Sequence, residues 1–512
     1  MAVNLRDYQT KAVENIEAVL SAEKNVLFTL PTGGGKTIIG ARIIEHAVER
    51  GERVLVLTHR REIRKQTSLK LLIDHGLIQA GLLADLSYPV QIASVQTLHA
   101  RAIRTDKIPL PAASLIVIDE VQHVVARTWK QILEQYPNAR RLGLTATPAR
   151  ADGRGLGSFF DVLIEGPPVA ELIEQKHLVP AVYYAPAEPD LRGVKIQAGD
   201  YQIRQLAERM NRDNLVGHIV STWHRHSQRR KTLVFCVDVG HSIHVRDELL
   251  KSGVRAEHLD GSTPKAERDE ILARLASGET EVVCNVMVLT EGLDIPSVAC
   301  IVLARPTRSL CLFRQMAGRG LRPAPGKTDL ILLDHAGAVY RHGLLTDPIQ
   351  WSLDVGRRAD NPTHAGRSRS IFSRLLGCRQ CGALRHGGEA CGHCGWKPQR
   401  RPEVIVFAEG ELALVKGGKK AKAEPPSPKD KQRFYQQLMA LRLMRNEERI
   451  GKGKAPLKPT WAAAKYKDRF GSWPPFAWNS SPKAAAVSPE VQSWVRSRDI
   501  AFGKRMAKAQ AA

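Results

Sequence analysis

The chain reads as two consecutive α/β domains, each built on a parallel sheet, followed by a small cysteine-rich module and a basic, partly helical C-terminal region. Three observations over its 512 residues lead there. Through residue 355, short uninterrupted Val/Ile/Leu runs alternate with longer amphipathic stretches, the pattern of parallel strands buried on both faces by crossover helices. The eight cysteines fall into two groups, four scattered through apolar runs and four in two close pairs. Charge is uneven: residues 1–355 carry 44 Lys and Arg against 40 Asp and Glu, whereas residues 356–512 carry 32 against 12.

Taken in order, NVLFTL (25–30), RVLVLT (53–58), SLIVID (114–119) and RLGLT (141–145) are the strands expected of a first domain over residues 1–165. The proline-bearing stretch 166–200 reads as a connector with a short helix. KTLVFC (231–236), EVVCNV (281–286), ACIVLA (299–304) and DLILLD (329–334) supply a second domain over 201–355. A polar, basic break near 356–374 precedes the cysteine module at 375–400. KGGKKAKAEPPSPKDK marks a flexible linker within 401–431, and Leu, Met and Tyr at helical spacing open an accessory region over 432–512.

Composition excludes some classes. At 43% hydrophobic the chain is not wholly disordered. No apolar run approaches the ~18 residues that cross a bilayer, and MAVNLRDYQT has no signal-peptide core. A cytoplasmic protein without a membrane partner is expected. The basic excess of the last third points to a polyanion, most simply nucleic acid, with a merely solvated tail as the plain alternative.

The chemistry begins at LPTGGGKT (30–37), between a strand and an apolar helix. A glycine-rich turn there aims backbone N–H groups inward, and the helix dipole completes an anion cradle. Thr32, Gly33, Gly34 and Gly35 form the turn, Lys36 reaches the β- and γ-phosphates, and the Thr37 hydroxyl is placed for Mg²⁺. The usual first glycine of this pattern is Leu30, which leaves the cradle intact. LIVIDEVQH (115–123) ends an apolar strand in two acids. Asp119 is the candidate for holding Mg²⁺ through water, and Glu120 the candidate general base toward the attacking water.

With these pieces placed, the chain resembles a superfamily 2 helicase, and further motifs follow in order over residues 5–345. LRDYQ (5–9) resembles the adenine-contacting element, implying Gln9 as base reader with Arg6 beside it. VLTHRREIRKQ (56–66) and ASVQTL (93–98) resemble motifs Ia and Ib, LTATPAR (144–150) motif III, TLVFC (232–236) motif IV, TEGLDIP (290–296) motif V and QMAGRGLRP (315–323) motif VI. Gln315, where DEAD-box proteins usually have His, points to the branch holding the repair and transcription helicase XPB and phage relatives, hence to a bacterial or phage-like setting. Gln122 stands where that branch more often has His, which bears on how hydrolysis is coupled to domain closure.

The resemblance implies two tandem RecA-like (P-loop NTPase) domains, ATP and Mg²⁺ as cofactors, and ATP hydrolysis in the cleft between them. Arg319 and Arg322, three apart, are expected on one helix face, reaching across as arginine fingers. Gln315 joins the nucleotide site, and Thr145 and Thr147 transmit closure. His59, Arg60, Gln96, Thr97 and Thr290 are implied nucleic-acid contacts of a kind that does not read sequence. Gly292 and Asp294 stand open between strand and nucleotide.

CRQCGALRHGGEACGHCGW (378–396) resembles a zinc ribbon. Cys378, Cys381, Cys391 and Cys394 are two CxxC pairs that favour Zn²⁺ over disulfides in an unexported chain. His386 and His393 are expected at the surface, and Trp396 with Arg379, Arg385 and Lys397 as a surface for nucleic acid, a protein partner being the alternative. The aromatics of 458–478 are read as a small helical cap with a basic outer face, or as a platform for unpaired bases. The activity expected is an ATP-dependent helicase or translocase, on DNA rather than RNA. An RNA helicase, a duplex translocase that separates no strands, and an inactive scaffold with a protein partner at ribbon or tail are the alternatives.

Overall fold

The computed structural model describes residues 4–59, 68, 70–150, 152–185, 189–197, 199–290, 294–356, 375–398, 427–453, 455–480, 486–488 and 490–499. It divides into two compact units, residues 1–402 and 403–512. In the first, β1 (Val26–Thr29), β2 (Val54–Thr58), β3 (Gly76–Ile78), β4 (Val90–Ser94), β5 (Leu115–Asp119), β6 (Arg140–Thr145) and β7 (Val162–Glu165) form a seven-stranded sheet of order β3-β4-β2-β5-β6-β1-β7. Every pairing in it is parallel.

The second lobe uses β8 (Ala181–Tyr184), the small hairpin β9 (Ile196–Gln197) and β10 (Asp200–Tyr201), then β11 (Thr232–Phe235), β12 (Ala256–Leu259), β13 (Val282–Asn285), β14 (Cys300–Leu303) and β15 (Leu330–Asp334). Its six-stranded sheet runs β12-β13-β11-β14-β15-β8, again all parallel. The connector stretch therefore contains, besides the helix Val169–Glu174, the edge strand of this sheet.

Continuous apolar runs are needed because each strand is covered on both faces. Along β2, Val54 and Val56 enter one core layer while Leu55 and Leu57 enter the opposite one. On β11, Leu233 and Phe235 face one side and Val234 the other. Cys236, Cys284, Cys300 and Cys311 are buried packing residues of this lobe. No helix among the described residues is long and apolar enough to cross a membrane.

In the second unit, the helices Pro428–Gly451 and Trp461–Phe470 close a small core of Phe434, Tyr435, Leu438, Leu441, Ala462 and Tyr466, joined by Val491 and Val495. Ser427 caps the first helix, its hydroxyl accepting from the Asp430 N–H at 3.3 Å, with Pro428 at the first turn.

Candidate active site and cysteine centre

The strands bring the site together by register. Thr29 at the end of β1 lies beside Thr145 on β6, whose neighbour Leu144 pairs with Asp119 at the end of β5. Three carboxyl ends of adjacent parallel strands thus open on one crevice, where α/β sheets hold ligands.

From β1 the chain passes through Leu30–Gly35 into the helix Lys36–Glu49. Gly33 and Gly35 have φ of 90° and 95°, the left-handed region that a side chain rarely adopts. A Cβ on Gly35 would also lie 2.4 Å from Gln9 Nε2. Gln9 is buried, accepts from the Arg6 N–H at 3.0 Å and donates to the Gly34 carbonyl at 3.2 Å. Tyr8, not singled out from the sequence, donates to the same carbonyl at 2.6 Å, and Arg6 Nη1 lies 3.1 Å from the Tyr8 hydroxyl. The LRDYQ element therefore braces the phosphate loop from behind.

Lys36 Nζ donates to the Leu30 carbonyl at 3.2 Å. Burial lowers the pKa of this ammonium, while Glu120 and Asp119 oppose the shift. Asp119 is buried and accepts the Glu120 N–H at 2.9 Å; Glu120 takes φ 53°, a conformation that side-chain-bearing residues rarely adopt. A cleft of about 210 Å³ is lined by Thr32, Gly33, Gly35, Lys36, Thr37, Asp119 and Glu120 of the first lobe and Asp294, Arg319 and Arg322 of the second. Lys70 adds a cation that no motif had announced.

One expectation about the arginines is corrected. They do not share an α-helical face: the helix Leu310–Gly318 tightens into a 3₁₀ turn at Arg319–Leu321, and Arg322 is extended. The turn lets both reach the cleft by different routes. Arg319 is buried and donates Nε (3.0 Å) and Nη2 (2.7 Å) to the Thr290 carbonyl. Arg322 Nη1 lies 3.4 Å from Asp294. The lobes touch closely here, since a Cβ on Gly33 would meet Arg322 Cγ at 3.1 Å, and one on Gly318 would meet Thr32 Cβ at 3.1 Å.

A second correction concerns Thr290. It is 2% exposed and its hydroxyl donates to the Met287 carbonyl, so this arrangement gives it an anchoring place under Arg319 rather than an open face for nucleic acid. His59 lies against His123, the ring centroids 4.1 Å apart and the planes tilted by 43°. Gln96 is exposed and Thr97 half-buried on the short helix Val95–Leu98. Arg60 and Gly292 lie outside the described residues.

A bonded series crosses between the lobes. Gln122 Nε2 donates to Glu120 Oε2 at 3.0 Å, and the Thr145 hydroxyl donates to Gln122 Oε1 at 3.1 Å. The Thr147 N–H donates to Thr145 Oγ1 at 3.0 Å, and Gln315 Nε2 of the second lobe donates to Thr147 Oγ1 at 3.3 Å. Gln122 is thus a positioning residue for Glu120.

The cysteine module pairs β16 (Leu375–Gly377) antiparallel with β17 (Leu384–His386). The Sγ atoms of Cys378, Cys381, Cys391 and Cys394 lie within 4.8 Å of one another, with 3.6 Å for Cys378–Cys394 and for Cys381–Cys391. Four thiolates around a tetrahedral ion at Zn–S ~2.3 Å stand about 3.8 Å apart, so the donor set fits Zn²⁺. Gly382 and Gly395, at φ 78° and 72°, permit the turns behind each pair. Cys378 and Cys391 pack on Val182 of β8. His386, expected at the surface, instead meets Asp347 Oδ1 at 2.8 Å. Arg385 is buried, bonded to the His386 and Glu389 carbonyls and stacked on Trp396, which removes it from the expected phosphate surface.

A fold of two parallel-sheet lobes with a phosphate loop, an acidic pair and arginines from the facing lobe defines a P-loop ATPase of the two-lobed motor type. Residues 2–150 match the family model described as "Type III restriction enzyme, res subunit" and residues 211–324 the "Helicase conserved C-terminal domain". The chain is 32% identical over 388 residues to a "51.5 kDa protein" of a Lactococcus phage, covering 75% of this chain and 81% of that one. It is 32% identical over 361 residues to "Putative ATP-dependent helicase IRC3" of Saccharomyces cerevisiae, covering 65% of this chain and 52% of the yeast protein. It is 25% identical over 388 residues to the "DNA 3'-5' translocase XPB2" of Sulfurisphaera tokodaii, covering 66% of this chain and 83% of that one. In fold it is similar to a solved fragment of a "putative HsdR subunit of a type I restriction enzyme" from Vibrio vulnificus, with TM-score 0.52, 24% identity and coverage of 66% of this chain and 65% of that one. The chain belongs to the superfamily 2 helicases and is an ATP-hydrolysing enzyme of that family.

Proposed function

We propose that the chain is a DNA-directed motor that hydrolyses ATP between its lobes and uses the cycle of closure to move along a strand. The observation that carries this is the single cleft to which one lobe brings Lys36, Asp119 and Glu120 and the other Arg319 and Arg322. Lys36 binds the β- and γ-phosphates of ATP; Thr37 and Asp119 would hold Mg²⁺, which would neutralise phosphate charge. Glu120 takes a proton from the water that attacks the γ-phosphorus as the bond to ADP breaks, releasing inorganic phosphate. Arg322, with Arg319 behind it, supplies positive charge in the transition state. Both lobes must meet for that, so ATP favours the closed form and hydrolysis releases it. Gln9 braces the phosphate loop through the Gly34 carbonyl, and Gln96 and Thr97 meet the strand.

DNA is favoured because the Sulfurisphaera relative is named a DNA translocase and the first lobe matches a restriction-enzyme family model. A second reading, favoured by the word translocase in the name of the Sulfurisphaera relative, is movement along DNA without strand separation. Measuring ATP hydrolysis with single-stranded DNA, duplex DNA or RNA as activator tests all three. DNA is expected to stimulate most, and Lys36→Ala to abolish the stimulated rate while binding persists; stimulation by RNA alone would overturn the DNA reading. Zn²⁺ is proposed at the four cysteines, and metal analysis of the purified chain is expected to find about one ion per chain, lost in Cys391→Ser.

A further inference from the structure

We propose that the C-terminal helical unit is a second nucleic-acid surface, one that takes an unpaired strand by stacking its bases on Trp473 and Phe476. Most aromatics of this unit are spent on its core. Phe434 meets Phe470 and Trp494 edge-on at 5.4 and 5.5 Å, and Tyr466 meets Trp478 at 6.0 Å. Trp473 and Phe476 are not spent: they are 57% and 89% exposed.

Their exposure is built in. Gly471, at φ 75°, ends the helix Trp461–Phe470, and the chain then runs Ser-Trp-Pro-Pro-Phe into a 3₁₀ turn at Phe476–Ser480. Beyond the arch, Asn479 Oδ1 accepts the Tyr435 hydroxyl at 2.7 Å and Trp478 packs into the core, which pins its far end. Pro474 and Pro475 fix φ between the two rings, so little freedom is lost when a ligand lands on them. Leaving two large rings in water on a stiffened arch forgoes the stability their burial would bring and gives the core nothing.

The charge around the arch selects the occupant. Residues 427–499 carry 15 Lys and Arg against 6 Asp and Glu. Lys467 holds its ammonium 4.6 Å from the Trp473 ring centroid, over one face, which leaves the opposite face to a base and the cation near the phosphate that follows. Rings interleaved with cations are the chemistry of sequence-tolerant single-strand binding, whereas a duplex keeps its base faces stacked inside. The proposal rests on the nucleic-acid reading above but not on the motor chemistry.

The test uses the full-length chain carrying Lys36→Ala, without ATP, and a fluorescein-labelled 20-nucleotide oligothymidylate read by anisotropy, beside a duplex of equal length. Trp473→Ala with Phe476→Ala is expected to weaken oligothymidylate binding about tenfold or more and to change duplex binding by less than about twofold. Trp473→Phe with Phe476→Tyr keeps the rings and is expected to retain affinity, which separates stacking from a folding defect. Unchanged affinity in the double alanine variant, or equal loss for single strand and duplex, overturns the proposal. So does retained oligothymidylate affinity with lost binding to phosphatidylglycerol vesicles, which would assign the arch to a lipid surface. A parent chain that binds no oligonucleotide would instead overturn the nucleic-acid reading itself, and this proposal with it.

Discussion

Gln315 donates its side-chain amide to the Thr147 hydroxyl at 3.3 Å, and the two residues belong to different lobes. Through Thr145 and Gln122 the same series ends on Glu120, so the carboxylate's orientation is tied to whether the lobes meet. Gln122→Ala removes the middle of that series without touching the phosphate loop. The turnover rate at saturating ATP and DNA is expected to fall about tenfold, the worth of one or two positioning hydrogen bonds, with KM for ATP little changed. Steady-state hydrolysis measures it; an unaltered rate would show that Glu120 is held by other means.

The two arginines should separate by experiment. Arg322 meets the exposed Asp294, whereas Arg319 spends two donors on the Thr290 carbonyl from a buried place. Arg322→Ala is expected to lower turnover ~10³-fold with a smaller fall in melting temperature than Arg319→Ala. Arg319→Ala leaves a buried carbonyl unpaired, at about 1–3 kcal/mol, so it should lower both turnover and melting temperature. Equal melting temperatures for the two variants would contradict the distinction.

Gly35→Ala tests the brace behind the phosphate loop. Its Cβ would fall 2.4 Å from Gln9 Nε2 at a φ of 95°, so loop or glutamine must move. Nucleotide affinity is expected to drop at least tenfold, readable by titration with a fluorescent ATP analogue. Adding Gln9→Ala relieves the clash but not the φ strain, and should recover only part of the loss.

The ribbon's link to the second lobe through His386 and Asp347 is expected to respond to pH. The Asp347 carboxylate raises the pKa of His386 above its ordinary value, burial opposing. A raised histidine pKa means that the bond's contribution is fully present below the unfolded-state value near 6.5 and fades as pH climbs through the folded one. Thermal stability of the metal-loaded chain should therefore decline from pH 6 toward pH 8 by an increment that His386→Asn abolishes. An identical pH profile in that variant would refute the assignment.

Much of this architecture was legible because the central strands are uniform: Val54–Thr58 and Leu115–Asp119 carry apolar side chains into both core layers. Three of the strands that escaped notice are mixed, while Gly76–Ile78 and Ala181–Tyr184 are short apolar runs beside breaks in the pattern. Val90–Ser94 buries Gln91 mid-strand, Ala256–Leu259 carries Glu257 and His258, and Val162–Glu165 is a half-exposed edge. The phosphate loop and acidic pair could be read directly, since contiguous residues make them. Lys70, Tyr8 and the Gln122 bridge could not, because each owes its place to residues far away in the chain. The helical cap at the C-terminus was legible as a packing pattern; which rings stayed outside was not.

The clearance between Gly318 and Thr32 has a wider meaning. Gly318 sits in a right-handed helix with ordinary backbone angles, where alanine is favoured by about 1 kcal/mol. Yet a methyl there would press on Thr32 across the gap. The halves thus shut with only a few tenths of an ångström to spare, and Gly318→Ala, a feeler gauge one methyl thick, would stiffen its own helix while asking Thr32 to give way before the jaw can close.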